Sequence, residues 1–255
     1  MLYGKIRLYQ KGRCFNLKEK IYTIPVNEAF ETDCECPLCE LRKKVNREVV
    51  DFVLGPSYME EDIRYETDKA GFCPKHYSEI FHESNRLGVA LMVSTHLKKI
   101  NKDLETHLDA PIKSGKGLFK KASDIPPAVQ YIKSVSETCF ACKRVNERME
   151  HYLDTVFYLF KTDPDFKEKI KNSKGFCLEH FSELISIGEK KLGKSAYESF
   201  MQIIIPIQKE NLKRLDEELD LFIKKFDYRF KDEPWGNSKD SLERTILKLS
   251  SEYMD

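Results

Sequence analysis

Apolar residues return every three or four positions along most of the chain, the spacing of one buried helix face. Over 41–54 that face is Leu41, Val45, Val49 and Phe52. Gly55-Pro56 ends the run. Ser57, with Glu60 three positions on, predicts a capped second helix that Gly71 terminates. A long helix is expected from Pro74, with His82 and His96 on one face. The later part of the chain repeats the theme. A helix is expected over about 140–161, then one with Asp163 as N-cap, Pro164 as first residue and Gly175 at its end. Leu212, Leu215, Leu219, Phe222 and Phe226 mark a helix over about 195–227 that Pro206 should kink. Leu242, Ile246 and Leu249 predict a last helix over about 239–253. Only the stretch Lys18–Val26 reads as extended. The pattern therefore predicts an all-α protein, its helices packed as a bundle behind a short extended N-terminal segment.

Composition narrows the class. The 255 residues are 41% hydrophobic and 33% charged, which describes a globular chain with a highly charged surface. Few Gly and Pro, 11 and 10, argue against a loop-rich β-sandwich. A net charge of +1 argues against a dedicated nucleic-acid binder. No window approaches the 18 or so apolar residues of a membrane span, and the first residues lack the apolar core of a secretory signal. A cytoplasmic location is the expectation, where thiols stay reduced.

The eight cysteines change the picture most. Cys36-Pro-Leu-Cys39 recurs as Cys139-Phe-Ala-Cys142, an offset of 103 residues, and Gly71-Phe-Cys73-Pro-Lys-His76 recurs as Gly175-Phe-Cys177-Leu-Glu-His180, an offset of 104. Leu87-Gly88 and Leu192-Gly193 follow at matching places. So many matched positions indicate an internal duplication. The reading divides the chain into a leader at 1–18, a first zinc-binding repeat at 19–108, a linker at 109–127, a second repeat at 128–227, and a linker with C-terminal helix at 228–255. A start at Leu17 is compatible with the sequence, because TTG encodes leucine and a purine-rich stretch can encode Lys11-Gly12-Arg13.

Three thiolates and one imidazole at such spacing form a tetrahedral zinc set. The expected ligands are Cys36, Cys39, Cys73 and His76 in the first repeat, and Cys139, Cys142, Cys177 and His180 in the second. Two helices of about equal length would run out and back, so that each repeat closes on its own ion. Each leading cysteine should stand at a helix N-terminus, which favours anionic sulfur. The cofactor expectation is two Zn²⁺ per chain, with four protein ligands each and thus structural. Cys34 supplies a fifth candidate ligand, a fourth thiol, beside the first set and is the candidate redox thiol. No nucleophile–base pair, phosphate loop or open metal position appears, so no catalytic residue is assigned. A non-enzymatic scaffold or interaction protein, with a protein partner and the option of a homodimer through 195–227, is favoured. The alternative is a thiol- or metal-dependent sensor or enzyme using Cys34 and the first site.

At these residues the chain resembles an uncharacterised bacterial family, a domain of unknown function with paired CPLC and GFCxxH motifs. The resemblance covers roughly 19–225. Besides the cysteine motifs it rests on Tyr22–Phe30, Gly55-Pro-Ser-Tyr-Met-Glu60, Asp62-Ile-Arg64 and Asn85-Arg-Leu-Gly88. It implies no assigned chemistry.

Overall fold

The computed structural model describes residues 17–82, 85–108 and 126–253. The leader to residue 16, Cys14, Glu83 and most of the expected linker lie outside the described residues. Among those described, all regular structure is helical. The helices are α1 (Leu17–Glu31), α2 (Pro37–Leu54), α3 (Glu61–Ala70), α4 (Pro74–His82), α5 (Arg86–Leu108), α6 (Pro127–Ser136), α7 (Phe140–Thr162), α8 (Pro164–Asn172), α9 (Leu178–Leu192), α10 (Lys194–Lys224) and α11 (Ser241–Ser250). Short 3₁₀ turns stand at Pro56–Met59 and Tyr228–Phe230.

The chain divides into two compact units. One joins the chain up to Leu41 with everything from His151 on; the other is Arg42–Glu150. Both boundaries fall inside a helix, α2 and α7, so the units cut across the two expected repeats.

The first unit is built on aromatic packing. Phe166, Phe176 and Phe200 are fully buried. Phe30 meets Phe166 edge-on at 4.9 Å, and Phe160 meets Phe200 at 4.9 Å. The N-terminal segment expected to be extended is instead α1, which continues through Pro25. Tertiary burial overrides local preference here: Val26, Ala29 and Phe30 are buried along one face, and Tyr22 stacks on His151 at 5.1 Å. Asp163 caps α8 as expected, its carboxylate accepting from the backbone N–H of Asp165 and Phe166. Helix α10 runs through Pro206 and packs on α8, α9 and α11, leaving Ile223 and Phe226 exposed.

The second unit packs α3 and α6 against α5, over Val45, Val49, Val53, Ile63, Ile80 and Met92. Ser57 does not cap α3. It lies in the 3₁₀ turn, and its hydroxyl donates to the Phe52 carbonyl, so Glu60 becomes the N-cap residue. The helix expected from Pro74 breaks between His82 and Arg86, which places His82 and His96 on different helices. His96 is buried and its Nδ1 bonds the Asp68 carbonyl at 2.7 Å, a packing role.

The two Gly-Phe pairs have a clear local cause. Gly71 and Gly175 have φ of +57° and +76°, in the region L side chains avoid. A Cβ at Gly71 would also stand 2.5 Å from His96 Nε2, and one at Gly175 would stand 2.8 Å from Gln208 Oε1. Each following phenylalanine, Phe72 or Phe176, is buried and anchors the turn that delivers the next cysteine.

Candidate metal centres

All four leading cysteines, Cys36, Cys73, Cys139 and Cys177, stand immediately before a helix, as expected from the Cys-x-x-Cys and Cys-x-x-His spacing. The second ligand then falls in the first turn on the same side. At two of the motifs the backbone seals the arrangement: the His180 N–H donates to Cys177 Sγ and the Cys142 N–H to Cys139 Sγ, each at 3.4 Å.

Two four-donor clusters result, and their membership differs from the expected one. The first is Cys36, Cys39, Cys177 and His180; the second is Cys73, His76, Cys139 and Cys142. Each unit thus joins the Cys-x-x-Cys of one repeat to the Cys-x-x-His of the other. The expectation that each repeat closes on its own ion fails because the paired helices are unequal. Helix α2 has 18 residues and α3 has 10; α7 has 23 and α8 has 9. At 1.5 Å per residue the outgoing helices reach about 27 and 35 Å and the returning ones only about 15 and 14 Å. The chain stops short of its own Cys-x-x-Cys and meets the other.

The distances test the fit of an ion. A tetrahedral zinc, about 2.3 Å from sulfur and about 2.0 Å from nitrogen, sets S···S edges of about 3.8 Å and S···N edges of about 3.5 Å. In the first cluster His180 Nδ1 lies 3.5, 3.4 and 3.1 Å from the sulfurs of Cys36, Cys39 and Cys177. In the second, His76 Nδ1 lies 3.2, 3.3 and 3.4 Å from those of Cys73, Cys139 and Cys142, and Cys73 Sγ lies 3.7 Å from Cys142 Sγ. A disulfide needs a separation of about 2.05 Å, and all seven described cysteines are free. Both sets therefore match a single tetrahedral ion and could hold a metal. Burial first, and then the neighbouring sulfurs, push the Cys36 and Cys142 thiols up to about 12, so a bound cation is what would hold them as thiolates.

The two histidines are held differently. His76 Nε2 is 2.8 Å from Asn46 Oδ1, and the Asn46 amide donates to Glu79 at 2.9 Å. The carbonyl takes the Nε2 proton and leaves Nδ1 as the lone-pair donor, the usual support of a ligating histidine. His180 Nε2 is buried without such a partner among the described residues.

The first cluster is enclosed. Its four residues are all buried, and α11 leads directly over it: the Ser251 hydroxyl donates to Cys177 Sγ at 3.1 Å. Beside it sits a charge cluster that the sequence pattern did not signal. Glu35, 3% exposed, accepts from Arg214 at 2.7 and 2.8 Å and from Arg244 at 3.2 Å. Lys248, fully buried, donates to the carbonyls of Glu35 and Lys174. Burial pushes the Glu35 carboxyl up, but Arg214, Lys248 and Arg244 outweigh it and hold it below the ordinary carboxylate value. The expected apolar face of α11 is correspondingly wrong: Leu242 and Leu249 are exposed, while Ser241, Leu247 and Lys248 are buried.

Cys34 stays outside both clusters. Its thiol points to the Ala29 carbonyl, 4.0 Å away, and burial, reinforced by Glu40, pushes it up to about 12. Among the described residues the other histidines join no such cluster; His107 stacks on Tyr131 at 4.9 Å.

No helix among the described residues is long and apolar enough to cross a membrane. Comparisons with curated proteins and with solved structures gave no match. The sequence model of a family of unknown function (DUF6062) matches residues 17–255, from the first described helix onward. That is the kind of family the resemblance implied, and the chain belongs to it.

Proposed function

We propose that this protein is a cytoplasmic zinc-binding helical scaffold, in which one structural Zn²⁺ staples each unit. The observation that carries the reading is the convergence of three sulfurs and one imidazole nitrogen, twice, at the edge lengths of a tetrahedral ion. Soft thiolates select zinc or iron over calcium and magnesium. Four protein donors close the coordination shell, which favours a structural over a catalytic ion. Each ion would supply on the order of 10 kcal/mol to folding. With a near-neutral net charge, the scaffold's partner is a protein rather than nucleic acid. Salt-resistant, sub-micromolar binding of duplex DNA would reverse that ordering.

Elemental analysis of protein purified under reducing conditions is expected to find two zinc ions per chain. Their removal by a strong chelator should collapse the cooperative thermal transition monitored by circular dichroism. Visible absorption typical of ferric thiolate would reassign the metal as iron. An unchanged transition in metal-free protein would overturn the structural role.

A further inference from the structure

The two clusters have the same donor set but not the same surroundings. Cys36, Cys39, Cys177 and His180 are all buried. In the other cluster Cys73 and Cys142 are only half-buried. Both line a cavity of about 870 Å³, whose walls include Lys69, Asp103, Tyr131 and Ser136. Cys73 also lines an adjoining cavity of about 440 Å³, with Ser136 shared between the two. A closed, structural set has no need of such an approach. The volume admits a small molecule. Cys139 also lines it but is buried, so the cluster sulfurs such a molecule would meet most openly are those of Cys73 and Cys142, only 3.7 Å apart.

We propose that Cys73 and Cys142 form an oxidisable dithiolate, and that a small hydroperoxide entering this cavity converts them to a disulfide and releases the second metal ion. The inference rests on the zinc reading for the thiolate state of the pair. Cys73, which faces both cavities, attacks the terminal oxygen of the hydroperoxide. An S–O bond forms, the O–O bond breaks, and the departing oxygen leaves as water or an alcohol after taking a proton from solvent. The Cys142 thiolate then attacks the Cys73 sulfur. The S–S bond forms as the S–O bond breaks, and hydroxide leaves to be protonated by solvent. Two thiolates lose two electrons in all and the hydroperoxide is reduced. Only Cys139 and His76 then remain as donors, too few to retain the ion. The first cluster, buried and covered by Ser251, keeps its metal.

The test is hydrogen peroxide titration of the full-length zinc-loaded protein. Released zinc is followed with a colorimetric chelator, and disulfides are mapped by mass spectrometry. One of the two ions should leave first, at least tenfold faster than the other, together with a Cys73–Cys142 disulfide. Ser136→Trp, which narrows both cavities without touching a ligand, should slow that phase at least threefold while leaving two zinc ions bound at the start. Equal rates at the two sites, an early disulfide among Cys36, Cys39 and Cys177, or no effect of Ser136→Trp would overturn the proposal. The two readings fail separately. A metal-free preparation refutes the zinc scaffold, while the disulfide map still decides whether Cys73 and Cys142 are oxidised first.

Discussion

Glu35 and Asp33 are two residues apart and have opposite worth. Asp33 pairs with Lys174 at 2.5 Å, but its side chain is 85% exposed. Solvent screens such a pair to about 0–1 kcal/mol. Glu35 is buried among Arg214, Arg244 and Lys248, whose other anionic partners are Glu218 and, for Arg244, the exposed Asp240. Breaking a buried charge network from one side leaves uncompensated charge and costs roughly 3–5 kcal/mol. Glu35→Gln should therefore lower the urea midpoint strongly with two zinc ions still bound, whereas Asp33→Asn should leave it almost unchanged. Equal effects would show that the network contributes nothing beyond a surface pair. The contrast also marks what the sequence discloses at this scale. The eight candidate ligands were legible because a recurring spacing picks out residue types with a known chemistry. Glu35 was not, because its partners lie about 180 or more residues away in sequence and read as ordinary surface charges. Asn46, which supports His76 from 30 residues away, gave no signal either.

Periodicity located most helices well, since α7, α8 and α10 begin and end close to their expected places. It failed where burial contradicts local preference. In α11 the inward face is partly polar because it must meet Glu35, so the apolar stripe was read onto the wrong side. In α1 a proline sits in mid-helix, where it costs about 3 kcal/mol relative to alanine. What offsets that cost is the buried stripe of Val26, Ala29 and Phe30, at about 1.5–3 kcal/mol for each larger apolar side chain. Pro25→Ala follows as a test of magnitudes. It restores an N–H that can donate to the Ile21 carbonyl and removes the proline penalty. It also frees the unfolded chain, which loses only about 0.4–1 kcal/mol. The variant should be stabilised by roughly 2 kcal/mol and melt at higher temperature. A lower melting temperature would mean that the unfolded-state term, or a contact of the proline ring, outweighs the helical hydrogen bond.

At the level of the whole chain, the recurrence of motifs and the folding units do not coincide. The sequence carries the same two Cys/His motifs twice, and the natural inference is two self-contained metal sites. Whether a copy can close on itself depends on the lengths of helices that periodicity bounds only loosely, and here the outgoing helix is about twice the returning one. The resulting closures are long: Cys39 and His180 are 141 positions apart, and His76 and Cys142 are 66 apart. The difference in loop-closure entropy between them is only about 0.7 kcal/mol. Burial, rather than loop length, is what distinguishes the two staples. The exchange of partners has a direct signature in metal content. Cys36→Ser and Cys177→Ser each disable the first cluster, so the double variant should still bind one zinc ion, and its stability loss should fall well short of the sum of the single losses. Cys36→Ser combined with Cys73→Ser disables both clusters, so that double variant should bind none, with near-additive losses. Closure within each repeat demands the reverse, with the Cys36/Cys73 pair retaining one ion and the Cys36/Cys177 pair retaining none. Elemental analysis of the four variants after gel filtration against a weak chelator decides between the two arrangements without reference to any partner or activity.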